Sequence, residues 1–100
     1  MAMEISKIQE GSRMTIVLDG RLDTITSKQL EQELRASIEG VTELVFDFDK
    51  VTYITSAGLR VLSVALKYMN RQGSMSIRNT QPEVREVFDV TGLSDIMNIE

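Results

Sequence analysis

The chain of 100 residues contains no cysteine and no histidine. Without cysteine it can form no disulfide, no thiolate nucleophile and no zinc site built from cysteine and histidine. Without histidine the usual neutral-pH base is missing, which excludes Ser-His-Asp and Cys-His catalytic arrangements. A small domain that lacks these groups has few catalytic parts. The sequence therefore predicts a protein that is not an enzyme and that uses no cofactor.

Positive charge and long apolar runs are also scarce. Lysine and arginine number 11 against 15 aspartates and glutamates, which gives a formal net charge of −4 and argues against a nucleic-acid partner. No apolar run reaches the roughly 18–20 residues that cross a bilayer. The first residues, Met1-Ala2-Met3-Glu4, lack the basic and apolar regions of a signal peptide. We therefore expect a cytoplasmic protein without membrane insertion.

The strands are predicted from alternating and continuous apolar patterns. Alternation from Met3 to Gly20, interrupted by the turn signal Glu10-Gly11-Ser12, predicts an antiparallel hairpin. The run Leu44-Val45-Phe46 begins a strand over 43–49, which we expect to be covered by helices on both faces, as in a parallel sheet. A short strand follows at 74–78, where Met75 and Ile77 alternate with polar residues. These patterns predict an α/β fold with a single mixed β-sheet, in which parallel βαβαβ-type strands follow the N-terminal hairpin and pack with helices.

Capping signals predict where the first and third helices begin. Thr26 and Gln29 fit a capping box, with Ile25 in place to pack on the helix as a hydrophobic staple. Thr80 and Glu83 fit a second capping box.

The second helix is predicted to run from about Ser56 to Arg71 or Gln72, and it is the most apolar of the three. A helix of this kind either lies at the centre of the core or presents an extra face to a partner.

The stretch from Lys50 to Arg60 leads from the central strand, through a predicted loop, into this second helix. The free N–H groups and positive dipole end of a helix N-terminus suit anions. Ser56 could therefore cap the helix, bind an anion or accept a phosphoryl group, and capping is the commonest of these roles. Two details favour an acceptor: Thr55 could cap instead and leave Ser56 pointing outward, and the small residues Ala57 and Gly58 would let another protein's active site approach closely. Glycine costs up to about 1 kcal/mol in a helix compared with alanine, so Gly58 indicates such a close approach or tight packing.

Three aspartates and one arginine are further candidates. Asp23, Asp47 and Asp49 could bind Mg²⁺, but a turn residue and solvated strand ends are the simpler interpretation, so no metal site is predicted. Arg60 should lie exposed one turn into the second helix, where it could pair with a carboxylate or a phosphate of a partner or remain solvated.

Three segments in this order resemble the STAS domain of bacterial anti-sigma factor antagonists. The first is Val17-Leu18-Asp19-Gly20-Arg21-Leu22-Asp23-Thr24-Ile25-Thr26, similar to the strand, turn and helix start of that family. The second is Phe46-Asp47-Phe48-Asp49 leading to Tyr53-Ile54-Thr55-Ser56-Ala57-Gly58-Leu59-Arg60, and the third is Val87-Phe88-Asp89-Val90-Thr91-Gly92-Leu93. The resemblance covers nearly the whole chain and implies a single STAS domain over residues 1–100.

The resemblance also implies a function. In that family a serine in the second segment, by position Ser56, accepts phosphate from a serine kinase that is itself the anti-sigma factor. It implies an antagonist that binds this kinase, is switched off by phosphorylation and is reset by a phosphatase, as a monomer or weak homodimer. The implied partner-binding residues are Arg21, Asp23, Thr24, Thr55, Ser56, Ala57, Gly58, Leu59 and Arg60.

The chain departs from the family pattern on both sides of the acceptor. Thr55 stands where an aspartate is often found, and Ala57 stands where a second serine or threonine is common. These departures motivate an alternative, namely a STAS subunit that docks without a phosphorylation cycle, for example in a lipid transport ATPase complex.

Overall fold

A computed structural model describes residues 3–100, so that Met1 and Ala2 of the N-terminal stretch lie outside the described residues. In chain order the elements are β1 (Glu4–Glu10), β2 (Arg13–Leu22), α1 (Thr24–Ser37), β3 (Glu43–Ile54), α2 (Ser56–Met69), β4 (Ser74–Arg78), α3 (Pro82–Thr91) and β5 (Asn98–Ile99). A short 3-10 turn, Leu93–Asp95, connects α3 to β5.

The strands form one five-stranded sheet in the order β1-β2-β3-β4-β5. β1 and β2 are antiparallel and are joined by a two-residue turn, since Glu10 pairs with Arg13. The remaining neighbours are all parallel. The predicted mixed sheet, with an N-terminal hairpin followed by parallel strands, is therefore confirmed.

The core occupies one face of this sheet. Side chains from one face of β2, β3 and β4 meet residues from the three helices in a single buried cluster, whose members on these strands are Met14, Ile16, Leu18, Leu22, Leu44, Phe46, Phe48, Val51, Ile54, Met75 and Ile77. On α3, the ring of Phe88 lies 6.1 Å from that of Phe48, centroid to centroid.

The prediction that helices cover β3 on both faces is wrong. Val45 is 1% exposed but lies outside the helix-covered cluster, flanked by its strand partners Thr15 and Ser76. Because β3 is the central strand, its neighbours on both sides bury Val45 without a second layer of helices.

α1 begins two residues earlier than predicted, and its capping residue is different. Asp23 is the N-cap, and the backbone N–H of Asp23 donates in return to the hydroxyl of Thr26 at 2.8 Å. The predicted box of Thr26 with Gln29 is therefore wrong, and Gln29 instead donates to the backbone carbonyl of Met3 at 3.0 Å. The predicted staple is wrong too, because Ile25 is 80% exposed. An aspartate caps a helix as well as a threonine does, so the earlier start costs nothing in capping.

α3 begins after Gln81 rather than after Thr80, and Gln81 forms no side-chain capping bond, so the predicted box of Thr80 with Glu83 is wrong. Pro82 occupies the first position of the helix and forces the residue before it into an extended conformation, which makes Gln81 the cap. α2 ends at Met69, slightly before the predicted Arg71 or Gln72.

Candidate functional site

The ends of β2 and β3 bring two helix starts together at the carboxyl edge of the sheet. Both strands are longer than predicted, so residues 50–54 continue β3 instead of forming a loop, and each strand connects to its helix through a single residue. Those residues are Asp23 and Thr55, and they are neighbours because Leu22 pairs with Ile54. The backbone N–H of Thr55 donates to the carbonyl of Leu22 at 3.0 Å. The N-termini of α1 and α2 therefore lie side by side, as expected for a ligand or partner site in this kind of sheet.

The two helix starts differ in how their N–H groups are satisfied. At α1 the carboxylate of Asp23 accepts the N–H groups of Ile25 at 3.0 Å and Thr26 at 2.9 Å. At α2 the N-cap is Thr55, whose hydroxyl donates to the carbonyl of Leu22 at 3.3 Å and makes no capping bond. In the described structure α1 is thus closed by a carboxylate, while the first turn of α2 lacks a side-chain acceptor. An added anion would be favoured at α2.

Ser56 is the first residue of α2 and is exposed. Because Thr55 occupies the N-cap position, the capping role for Ser56 is ruled out. Ser56 is exposed, as we expect if Thr55 occupies the N-cap position. A hydroxyl on the first turn of an uncapped helix is open to an enzyme and sits where a phosphate would be stabilised.

Gly58 lies on the inner side of the helix start, so of its two expected uses tight packing is confirmed, whereas the expectation that it leaves room for a partner's active site is wrong. It is buried, and a Cβ built on it would come within 2.8 Å of Leu22 Cγ and 3.0 Å of Ile54 Cγ1. Glycine is therefore required for α2 to pack tightly against the ends of β2 and β3.

The other predicted partner-binding residues lie around Ser56 at different depths. Arg21, Thr24 and Arg60 are exposed, whereas the remaining members are half-buried, namely Asp23, Thr55, Ala57 and Leu59. Leu59 packs against the core cluster. Their partner-binding role stays a prediction.

Two residues next to this site were missed by the sequence analysis. Tyr53, at the end of β3, is 45% exposed, and the guanidinium carbon of Arg21 lies 4.3 Å from the centroid of its ring. This is a cation–π geometry. Ile25, on the first turn of α1, is 80% exposed. No local pattern reports the register that pairs Arg21 with Tyr53, and the sequence predicts a staple role for Ile25.

The aspartates at this edge have structural roles. Asp47 Oδ1 accepts a hydrogen bond from Asn79 Nδ2 at 3.2 Å and another from the backbone N–H of Asp49 at 3.0 Å. The carboxylate of Asp23 caps the N-terminus of α1. Within residues 3–100 no three potential metal ligands lie close together.

Asp23 has a pKa below the ordinary value of an aspartate, chiefly because the backbone N–H of Thr26 donates to its carboxylate. The hydroxyl of Thr26, the N–H of Ile25 and the charge of Arg21 lower the pKa further, while partial desolvation opposes them. The ionised carboxylate of Asp23 therefore stabilises the start of α1.

We expect acid to remove this cap. Because the pKa of Asp23 is lower in the folded protein, the unfolded chain binds the proton first, so the stabilisation is complete above about pH 4 and is lost as pH falls through the folded pKa. The melting temperatures of wild type and Asp23→Ala should converge below about pH 4. Asp23→Asn keeps a capping oxygen that does not titrate, so it should retain its cap in acid. A constant difference between wild type and Asp23→Ala at all pH values would contradict the assignment.

The fold and the site together define a small α/β domain with an exposed serine at an open helix start. Residues 4–100 match the sequence profile of the STAS domain, and the chain belongs to the STAS domain family. Within the residues that the structure describes, no helix is long and apolar enough to span a membrane.

Individual relatives agree with this assignment. BtrV of Bordetella bronchiseptica, whose name gives anti-sigma factor antagonist as a provisional role, is 36% identical over 84 residues, covering 82% of this chain and 72% of the relative. The anti-sigma-B factor antagonist of Bacillus subtilis is 27% identical over 100 residues, covering 99% and 92%. The phosphorylated form of the Bacillus cell fate determinant SpoIIAA has the same fold, with a TM-score of 0.75, 22% identity and coverage of 99% and 91%. By homology the chain groups with the anti-sigma factor antagonists, which are named for a regulatory role and not for an enzyme activity.

Proposed function

We propose that this protein is an anti-sigma factor antagonist that binds a serine kinase acting as the anti-sigma factor, and that phosphorylation of Ser56 ends the binding. The observation that carries the proposal is the exposed hydroxyl of Ser56 on the first turn of a helix without a side-chain cap. In this role residues 1–100 act as a single cytoplasmic STAS domain. The protein is a substrate and has no catalytic activity of its own, and a separate phosphatase resets it.

The helix start explains how a phosphate can be added without damage to the fold. A phosphoserine carries about −1.5 to −2 charges at neutral pH. At the N-terminus of α2 this charge faces the positive end of the helix dipole and N–H groups that lack a side-chain acceptor in the described structure. The effect of the phosphate must therefore be exerted on the surface that meets the partner.

The direct test is a phosphorylation assay. Each serine kinase of the anti-sigma factor class from the source genome is incubated with the protein and Mg-ATP, and the intact mass is measured. One kinase should add a single phosphate to wild type and to Thr55→Ala, but none to Ser56→Ala. If the phosphate persists in Ser56→Ala, or if no kinase adds one, the acceptor assignment fails.

We expect a negative charge at position 56 to leave the fold intact or to stabilise it. Ser56→Asp should raise the free energy of unfolding by about 0.3–1 kcal/mol at low ionic strength, because the charge lies at the N-terminus of α2. Asn70→Asp is the matched control: it places the same charge at the C-cap of the same helix, where it should destabilise. Urea denaturation of the two variants measures both effects. Equal shifts in the two variants would show that the helix dipole is not responsible.

A second function is docking without phosphorylation, for example as the STAS subunit of a lipid transport ATPase complex. It is favoured by the absence of a free carboxylate beside Ser56 in the described structure, since position 55 is a threonine bonded to Leu22 and Asp23 is engaged as a cap. Co-purification of a transport ATPase in place of a kinase, with Ser56 unmodified, would support this function over the first.

A further inference from the structure

We propose that the partner binds the surface around Ser56 through a hydrophobic recess surrounded by acidic groups. The complementary features on this protein are two apolar anchors, Ile25 and Tyr53, and three cations, Arg21, Lys28 and Arg60. We call these five residues the anchor surface. The inference deepens the proposed function and rests on it for the identity of the partner.

Ile25 is an apolar side chain that the fold does not use. It is 80% exposed, although the next two residues of α1, Thr26 and Ser27, are each 2% exposed. A single exposed isoleucine is common on protein surfaces. This one lies on the first turn of α1, beside the helix start that carries Ser56, and a second large apolar side chain is exposed at the same edge of the sheet.

That second side chain, Tyr53, is held in place by Arg21. The two residues are paired across β2 and β3, and the guanidinium carbon lies 4.3 Å from the ring centroid. Tyrosine and arginine are both enriched among the residues that carry most of the energy of an interface. A side chain that is already ordered loses less entropy on binding than a free one. Tyr53 and Arg21 therefore form a prepared contact point.

The sign of the charge on this surface is opposite to that of the whole protein. Lys28, Arg60 and Glu31 line a cleft between the first turns of α1 and α2. Glu31 is paired with Arg35, whereas Arg21, Lys28 and Arg60 form no ion pair with a carboxylate anywhere in residues 3–100.

Asp23 offsets these cations only in part, because its charge acts on Arg21 while its carboxylate is hydrogen-bonded to backbone N–H groups of α1, so that three cations face one carboxylate. A chain with a net charge of −4 thus presents a local basic surface at its site. Electrostatic complementarity then requires an acidic surface on the partner.

This arrangement also accounts for the effect of phosphorylation. A phosphoserine at position 56 would add about −1.5 to −2 charges among three cations. It would cancel the attraction of the anchor surface for an acidic partner and would add direct repulsion. The partner would be released without any change in the fold.

The test measures binding of the kinase that phosphorylates Ser56, using Ile25→Ser, Tyr53→Thr and Arg60→Glu, with Val90→Ser as the matched control. Val90 is also 80% exposed but lies on α3. Each variant of the anchor surface should raise the dissociation constant at least about tenfold, whereas Val90→Ser should raise it less than about twofold. The association rate for wild type should fall as salt rises from about 50 to about 300 mM. Melting curves of the variants should match that of wild type, because all the altered side chains are exposed.

Two results would overturn the inference while the proposed function stands: equal losses for Ile25→Ser and Val90→Ser, or an association rate that does not depend on salt. If no kinase binds, the proposed function fails, and photo-crosslinking decides the inference. A crosslinker is placed at position 25 in source cells, with position 90 as the control. A crosslink specific to position 25 that maps to an acidic protein segment supports the anchor surface. Crosslinks to nucleic acid, equal capture from both positions, or no capture overturn it.

Discussion

Phosphorylation of Ser56 is expected to weaken binding of the kinase by at least about 100-fold, which corresponds to about 2.7 kcal/mol. The phosphate would lie at the centre of the contact, where it must lose its hydration if the partner is to approach. Desolvation of a buried charge and repulsion by acidic groups of the partner each cost several kcal/mol at an interface. Because the open start of α2 favours the added charge, the loss should appear in binding and not in folding.

Calorimetric titration of the fully phosphorylated protein and of Ser56→Ala measures this effect. Ser56→Ala should bind with an affinity close to that of unmodified wild type and should resist release by ATP. Ser74→Glu is the control for net charge, because Ser74 is exposed at the start of β4, whereas Ser56 follows the carboxyl end of β3. It should bind normally. A phosphorylated protein that binds within about threefold of wild type would show that Ser56 is not the switch.

The order of the elements could be predicted because each element has a local signature. The hairpin has alternating residues on both sides of Gly11, and the first helix has apolar residues at every fourth position. These signals depend only on neighbours in the chain. They were sufficient for the mixed sheet and for the parallel strands that follow the hairpin.

The ends of β2 and β3 could not be predicted, because they are set by pairing between strands distant in the sequence. Residues 50–54 lack a clear alternating pattern, but pairing with β2 extends β3 to Ile54. The register also shifts twice, between Val17 and Asp19 and between Gly20 and Arg21, and β3 contributes an extra residue at each shift. Only the two shifts together align Arg21 with Tyr53, and no local pattern reports them. The observed start of α1 differs from the predicted one for the same reason, because β2 continues to Leu22 and leaves Asp23 as the N-cap.

At the site itself the sequence singled out Ser56 but not the surface around it. Ser56 stood out because small and hydroxyl residues precede an apolar helix, and the structure places it on the exposed first turn of α2. Its phosphorylation stays a prediction. For Gly58 the sequence leaves close approach and tight packing both open, because a missing side chain does not reveal which side of the backbone is crowded.

Gly58→Val is therefore expected to destabilise the protein by about 2 kcal/mol. The valine Cβ would come within 2.8 Å of Leu22 Cγ and 3.0 Å of Ile54 Cγ1, and both side chains are buried at the ends of their strands. Overpacking of this kind typically costs about 1–3 kcal/mol. Valine regains only a few tenths of a kcal/mol over glycine in helix propensity. Urea denaturation should give this difference, with Ala36→Val as the control, since Ala36 is exposed on α1 and valine there should cost about 0.5 kcal/mol.

The same substitution should also impair phosphorylation, which separates a packing role for Gly58 from a simple loss of stability. The carbonyl of Leu22 accepts hydrogen bonds from both the backbone N–H and the hydroxyl of Thr55. A displacement of Leu22 would therefore also shift the start of α2. At a temperature where Gly58→Val is fully folded, the initial rate at which the kinase modifies Ser56 should fall at least about tenfold, since small misplacements of a reacting group have large effects on rate. Gly58→Ala, which adds a single carbon, should show smaller losses of both stability and rate. If Gly58→Val is destabilised but is modified at the wild-type rate, the position of Ser56 does not depend on the contact between α2 and Leu22.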